Sequence, residues 1–209
     1  NILAIKDFAF SRSGLKEIEI PENLEEISTS TFSECSLLKK VSFLGNKVNA
    51  INWCAFSFCE SLEEINLTEG LSEIGDGVFN GCISLKDITL PSTLKYIGGA
   101  SFRDCRSLRE MILPENIESI SDGLFYRCTS LRKITLPAQV KSIDAMAFAG
   151  CESLTDIELP TGITEIASYL FLDCKSLATV NIPGGVTQIG YRAFEGCQSI
   201  KNIIIPSGV

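Results

Sequence analysis

Apolar and polar positions follow a single pattern that recurs along the chain. The segment FRDCRSLREMILP (102–114) returns as FYRCTSLRKITLP (125–137) and as FAGCESLTDIELP (148–160), at a constant interval. The leucine or isoleucine that anchors each copy keeps this interval, apart from one step that is longer by a single residue, and marks units that start near 15, 38, 62, 85, 108, 131, 154, 177 and 200. We therefore predict an array of internal repeats of about 23 residues, with partial units at both ends.

Each unit can be written L-x-x-I-x-L-P-x-x-L-x-x-I-x-x-x-a-F-x-x-C-x-S, where "a" is usually small or aliphatic. Its first part alternates apolar and polar residues, which predicts a short strand. Proline then ends the strand, because it lacks the N–H that a ladder requires. The middle part allows a second short extended segment. The last part contains glycine and small residues and predicts the turn that brings the chain back.

The apolar positions of one unit cannot be buried by that unit alone. In the unit that starts at 85, the positions expected to point inward are Leu85, Ile88, Leu90, Leu94, Ile97, Phe102 and Cys105. A lone coil leaves its top and bottom in water, whereas stacking in register removes both faces of every inner coil from solvent. We therefore predict a solenoid that forms a single domain over 1–209.

Two residue types support this register independently. All seven prolines lie at the same offset after an anchoring leucine or isoleucine. Nine of the twelve phenylalanines share one column, namely Phe10, Phe32, Phe56, Phe79, Phe102, Phe125, Phe148, Phe171 and Phe194. We predict that these phenylalanines form a single file through the core.

The repeat resembles the BspA-like subclass of bacterial leucine-rich repeats over essentially residues 2–209. Copies that carry the resemblance are LKDITLPSTLKYIGGASFRDCRS (85–107) and LATVNIPGGVTQIGYRAFEGCQS (177–199). It implies a leucine-rich-repeat solenoid, a right-handed curved array with a parallel β-sheet on the concave face and short extended or turn segments on the other face. It also implies an exported or surface-attached bacterial protein that binds host proteins or acts as an adhesin.

The sequence departs from this family pattern at two places. The segment 10–18 is one residue short and has Ser13 where the cysteine would stand. The segment 38–61 contains an extra residue and has Leu44 in place of the proline. We expect these departures to disturb the repeat only locally.

Charge and composition exclude several classes of function. The formal net charge is −8, which argues against nucleic acid as a partner. No apolar run approaches the ~20 residues of a membrane helix, so no membrane insertion is expected in this segment. Histidine is absent, which removes Ser-His and Cys-His nucleophiles and imidazole metal ligands. We expect no cofactor. The chain shows neither a leader nor polar end caps, so we expect a segment of a longer protein.

Eight of the nine cysteines form one column, namely Cys35, Cys59, Cys82, Cys105, Cys128, Cys151, Cys174 and Cys197. We interpret them as buried free thiols that fill the turn as small apolar residues. Disulfides between neighbouring repeats are an alternative, although side chains stacked in register run parallel and disfavour the ~90° S–S torsion. A metal site is a second alternative, although a linear column does not supply tetrahedral ligands.

The two positions after each anchoring residue are predicted to point away from the core. The first position is mostly basic and the second is mostly acidic. One interpretation is a ladder of solvated ion pairs, each contributing about 0–1 kcal/mol. Another is a polar surface for a protein or glycan partner on the concave face of the solenoid. The candidate partner-binding residues on this face are Glu64, Asp87, Arg109, Glu110, Arg132, Lys133, Asp156 and Glu158.

The irregular third unit supplies two further candidates, Trp53 and Phe58. These side chains and Leu44 occupy positions that are polar or small in most other units. They can form an apolar contact patch for a partner. Alternatively, they cover a bulge that the extra residue creates.

Three functions remain on these grounds. The first is a non-catalytic recognition or adhesion module, and the second is a rigid spacer that displays other domains. The third is a carbohydrate-active enzyme, because carboxylates ~5–9 Å apart can hydrolyse a glycosidic bond. The acidic candidates belong to a repeated column, and nothing in the sequence singles out one pair. We therefore predict no catalytic residues.

Overall fold

The computed structural model describes residues 3–209 as a solenoid of short parallel strands, as the repeat predicts. Across this range no helix has the length and apolar character needed to cross a membrane. Two series of strands recur, one before and one after the proline position. The first series comprises β1 (Glu17–Ile20), β3 (Lys40–Phe43), β5 (Glu64–Ile65), β8 (Glu110–Ile112), β10 (Lys133–Thr135), β12 (Asp156–Glu158) and β14 (Thr179–Asn181). The second comprises β2 (Glu26–Ile27), β4 (Ala50–Ile51), β6 (Glu73–Ile74), β7 (Tyr96–Ile97), β9 (Ser119–Ile120), β11 (Ser142–Ile143), β13 (Glu165–Ile166) and β15 (Gln188–Ile189).

Both series pair in parallel and in the predicted register. The strands before the proline position form the first ladder. In it, Ile134 lies opposite Met111, which holds the same position in the preceding repeat. In the second ladder, the strands after the proline position, Ile143 lies opposite Ile120. Identical columns therefore meet, because only this register turns every apolar column toward the core. The second extended segment of the repeat, which the sequence only allowed, is a hydrogen-bonded strand in eight units.

Neither strand ladder is continuous. The first ladder consists of the groups β1-β3-β5, β8-β10 and β12-β14. The second consists of β2-β4-β6-β7, β9-β11 and β13-β15. The predicted sheet is therefore a set of short pieces, and residues 86–90 form no strand at all.

The turn around each phenylalanine is the most regular part of the backbone. The amides of this phenylalanine and of the residues two before and two after it donate to carbonyls of the next repeat, as Phe102 N–H does to the Leu124 carbonyl at 3.0 Å. This turn ladder extends without a gap from the amide of Phe8 to the carbonyl of Glu195. The turn at the end of each repeat, which the sequence predicted only as a connection, thus forms a continuous hydrogen-bonded ladder along the fold.

The turn ladder requires left-handed backbone at two positions of every repeat. Ala100, two residues before Phe102, has φ of 53°, and Asp104, two residues after it, has φ of 56°. The same conformation recurs one repeat later at Gly123, with φ of 56°. For residues other than glycine this conformation costs about 1–2 kcal/mol, so the hydrogen bonds of the turn ladder must offset the strain.

The phenylalanine column forms the predicted single file. Ring centroids of successive members, from Phe10 to Phe194, lie 5.2–5.8 Å apart, and the rings are close to parallel. Phe32 through Phe171 are fully buried, whereas the end members Phe10 and Phe194 are partly exposed. Each offset stack contributes about 0.5–1.5 kcal/mol beyond area burial.

The cysteine column lies beside this file as free thiols, seven of which are buried and one of which, Cys197, is partly exposed. Each thiol donates to the carbonyl of a phenylalanine one repeat earlier, as Cys128 Sγ does to Phe102 O at 3.0 Å. Burial raises the pKa of the Cys128 thiol well above its ordinary value, because a thiolate there would lose its hydration. This geometry agrees with the free-thiol interpretation and not with disulfides. Within residues 3–209 no three potential metal ligands lie together.

The extra residue of the third unit lies between β3 and β4. The pairing of Ile20 with Phe43 spans one residue less than the pairing of Ile27 with Ile51. The insertion therefore falls within 44–49, where the strand pairing is absent. The other departure is also local, because Ser13 Oγ lies 3.3 Å from Cys35 Sγ and thus takes the place of a thiol in the column.

Candidate functional site

The charged candidates of the first ladder all lie on the solvent side. Each unit places its anchoring leucine in the core, and the next two side chains then emerge on the outer face, because the following isoleucine turns inward again. In β10, for example, Lys133 is exposed and Ile134 is only 6% exposed. The exposed candidates are Glu64, Asp87, Arg109, Glu110, Arg132, Lys133, Asp156 and Glu158.

These charges do not form the expected ladder of ion pairs. Glu64 alone among the eight has a salt bridge within residues 3–209, with Lys40 Nζ 3.0 Å from its carboxylate. The hydrogen bond from Lys40, together with one from the Asn66 amide, lowers the pKa of the Glu64 carboxyl. The remaining pairs lie at other positions of the repeat, such as Lys141 with Glu118. The ion-pair interpretation of this face is therefore wrong for most of its length.

The breaks in the first ladder create two grooves. The first groove runs between residues 87–92 and 110–116, has a cavity volume of about 850 Å³ and includes the candidates Asp87 and Glu110. The second groove runs between residues 133–138 and 156–161, with a cavity volume of about 370 Å³. Each lies where neighbouring strands do not pair.

The second groove brings together three candidates, Lys133, Asp156 and Glu158. Glu64, Arg109 and Arg132 line neither groove. The eight charges thus lie on one face, but the structure gathers only some of them into concave sites.

The first groove also contains side chains that the sequence reasoning missed. Ile112 is 72% exposed at the end of β8, in a column where Thr89, Thr135 and Glu158 are polar. Glu69 reaches across to the next repeat and accepts hydrogen bonds from the amide and hydroxyl of Ser92, which lower the pKa of its carboxyl. The signal for Ile112 was present in the sequence, because an apolar residue stands there in a polar column.

Trp53 and Phe58 are partly exposed side chains of the third unit. Both lie beyond the segment 44–49 in regular repeat backbone, and they are 54% and 46% exposed. Phe58 packs over the next repeat, where a Cβ added to Gly81 would lie 2.6 Å from Phe58 Cδ1. Phe58 therefore fills the space that Gly81 leaves, and the bulge interpretation stays a prediction for both side chains.

Comparisons with known proteins agree with this architecture. The profile described as BspA type leucine rich repeat region matches residues 1–109 and 97–209, with six copies. A leucine-rich repeat protein of T. pallidum is 33% identical, and the match covers 73% of this chain and 72% of that chain, with a TM-score of 0.70. A search of curated protein sequences finds no significant match.

Two further solved structures are similar to this chain. A leucine-rich repeat protein from Bacteroides ovatus is 28% identical, with 97% of this chain and 64% of that chain covered and a TM-score of 0.59. The pneumococcal vaccine antigen PcpA is 23% identical, with 95% and 58% covered and a TM-score of 0.57, and it supports the fold alone. This chain spans less than two thirds of the length of either protein.

Proposed function

Because the chain belongs to the BspA-type leucine-rich repeat family, we propose that it is a non-catalytic recognition or adhesion module of a bacterial cell-surface or secreted protein. Its partner in this proposal is a protein, such as a host matrix protein, or a glycan. The partner binds the outer, solvent-facing side of the first ladder, which the family resemblance predicts to be the polar concave face of the solenoid. No cofactor takes part.

The main observation behind the proposal is that most charged side chains on that face have no ion-pair partner in the part of the chain that the structure describes. Seven of the eight charged candidates are exposed and have no salt bridge within the described residues, so their charges are available to a partner. A solenoid presents such side chains on a rigid backbone at a regular spacing. Charge complementarity then supplies specificity and a faster association rate more than raw affinity.

Binding to arrays of matrix proteins and glycans tests the proposal. Every hit is titrated at about 0.05 M and about 0.3 M salt, and we expect the dissociation constant to rise at least about fivefold, because ions screen exposed charges. The double variant Arg109→Ala/Arg132→Ala should change the dissociation constant of a hit and reduce the dependence of that constant on salt. The control Lys141→Ala, which removes one positive charge and its salt bridge to Glu118 at another position of the repeat, should leave both the affinity and its salt dependence unchanged.

Trp53 offers a separate test of where the partner binds. Trp is a frequent anchor of interfaces, and this one is half exposed. If the third unit joins the contact, Trp53→Ser should weaken binding with little change in the free energy of unfolding. If Trp53→Ser lowers the free energy of unfolding but leaves the affinity unchanged, Trp53 is not part of the binding face.

A rigid spacer is the second candidate function, and the turn ladder favours it. Its hydrogen bonds extend from Phe8 to Glu195 without a gap, which makes this chain a stiff rod. A spacer has no partner of its own. Saturable binding by the isolated chain would favour the recognition module, whereas the absence of any hit would favour the spacer.

A carbohydrate-active enzyme is the least supported alternative. The acidic candidates repeat along the face, and the grooves are open rather than enclosed by inserted loops. Confirmed turnover of any member of a polysaccharide panel would overturn the non-catalytic proposal.

A further inference from the structure

We infer that the first groove, between residues 87–92 and 110–116, binds an extended peptide segment of a partner protein in which lysine or arginine alternates with branched aliphatic residues. This inference rests on the proposed recognition function and names its site and the chemistry of its partner. Three independent features of the groove support it.

The first feature is unpaired backbone. Residues 86–90 form no strand, and the amides of 87–90 donate to no backbone acceptor within residues 3–209. One bond, from Arg109 N–H to the Lys86 carbonyl at 3.2 Å, joins this segment to the strand that follows. An extended peptide that lies along this segment can accept main-chain hydrogen bonds from these amides, as in β-augmentation.

The second feature is an apolar surface inside the groove. Leu90, Leu113 and Pro114 line it, and Ile112 stands 72% exposed in the middle of a polar column. An exposed aliphatic side chain beside a concave apolar lining fits an apolar side chain of a partner. Because an extended peptide points alternate side chains to opposite sides, every second residue can enter this lining.

The third feature is charge of one sign. The groove is lined by the carboxylates Glu69, Asp87, Glu110 and Glu115 and by no basic residue. The second groove differs, because Lys133 lies there with two carboxylates and its volume is less than half. Carboxylates at the rim of an apolar groove are complementary to a cationic segment and repel an acidic one. A cationic peptide that alternates with aliphatic residues satisfies all three features together.

Three matched synthetic nonapeptides, labelled with a fluorophore, test the inference on this chain by fluorescence anisotropy. One alternates Lys and Val, one alternates Lys and Ser, and one alternates Glu and Val. We expect the Lys–Val peptide to bind at least about tenfold more tightly than the other two. Equal binding of the Lys–Val and Lys–Ser peptides would overturn the inference, because it would reduce the site to a general attraction of cations.

Variants locate the binding. Ile112→Thr adopts the residue found in the same column at Thr135, so it should fold, and it should weaken Lys–Val binding at least about fivefold. Asp87→Asn with Glu110→Gln should weaken it similarly and flatten its salt dependence. The control Asp144→Asn with Glu165→Gln removes the same charge from exposed positions outside both grooves and outside the candidate face, and it should leave binding unchanged. Equal effects of the two double variants would refute the first groove as the site.

Failure of this inference is distinguishable from failure of the proposed function. A partner found on the arrays could bind the Ile112→Thr variant as tightly as the parent chain. That result would support the recognition function but exclude the first groove as its binding site. Hydrogen exchange adds a direct measure, because bound Lys–Val peptide should protect the amides of 87–90. Unchanged exchange there at saturating peptide would also count against the groove.

Discussion

The column of buried thiols should make this protein sensitive to alkaline pH. Burial raises the pKa of six of these thiols above the ordinary value of 9.0, because a thiolate in the core would lose its hydration. The folded state therefore holds neutral thiols, whereas the unfolded chain ionises its thiols freely above about pH 9. The associated stability is fully present below about pH 9 and is lost as the pH rises toward the raised pKa of the folded state.

The size of the effect follows from the number of thiols. Each pH unit above about 9 costs about 1 kcal/mol for every thiol that ionises only in the unfolded chain. Six such thiols would together cost roughly 6–8 kcal/mol at about pH 10. That loss is comparable with the whole stability of a typical domain, about 5–15 kcal/mol. We therefore expect cooperative unfolding between about pH 9.5 and 10.5.

Urea titrations at several pH values between about 8 and 10, under reducing conditions, measure this loss. Cys128→Ala removes one thiol and its 3.0 Å hydrogen bond to the Phe102 carbonyl, which should cost about 1 kcal/mol at pH 8. Above about pH 9 the same variant should lose stability more slowly than the parent, by about 1 kcal/mol per pH unit. The matched control Ile120→Val should cost about 0.5–1.5 kcal/mol at every pH, with the slope of the parent.

Comparison of slopes cancels the titration of lysine and tyrosine, which all three proteins share. Identical pH slopes for the parent and Cys128→Ala would refute the reasoning. So would rapid reaction of these six thiols of the folded protein with a thiol reagent at about pH 8, because buried neutral thiols should be protected.

Two further predictions concern packing between repeats. Phe102→Ala should lower the free energy of unfolding by about 3–5 kcal/mol, because it leaves a cavity between two stacked rings in a backbone held by the turn ladder. Phe10 has one stacked neighbour and is partly exposed, so Phe10→Ala should cost less than half as much. Urea titrations measure both values. Gly81→Ala should destabilise the protein more than Gly123→Ala, because both glycines have positive φ but the added Cβ meets the Phe58 ring, at 2.6 Å, only at Gly81. This difference in the free energy of unfolding should shrink in a Phe58→Ala background. An undiminished difference there would contradict the proposed packing.

The sequence by itself determined the register of the stack and the contents of the core. A constant repeat period brings each column onto itself, and burial of Phe102 and Cys105 follows because no other register hides every apolar column. It also determined which charged side chains face solvent. These features depend on residue identity and spacing alone, since the hydrophobic effect is non-directional and needs only the right periodicity.

Only the tertiary structure decided where the strands pair and what the outer face offers. Residues 86–90 match the repeat as well as their neighbours do, yet they form no strand, and the first groove lies there beside the exposed Ile112. The turn ladder, with left-handed backbone at Ala100 as well as at Gly123, was equally hidden in the pattern. The physical reason is that hydrogen bonds are short-ranged and directional, so they form or fail according to the separation of neighbouring backbones, which the whole stack determines and no single repeat encodes.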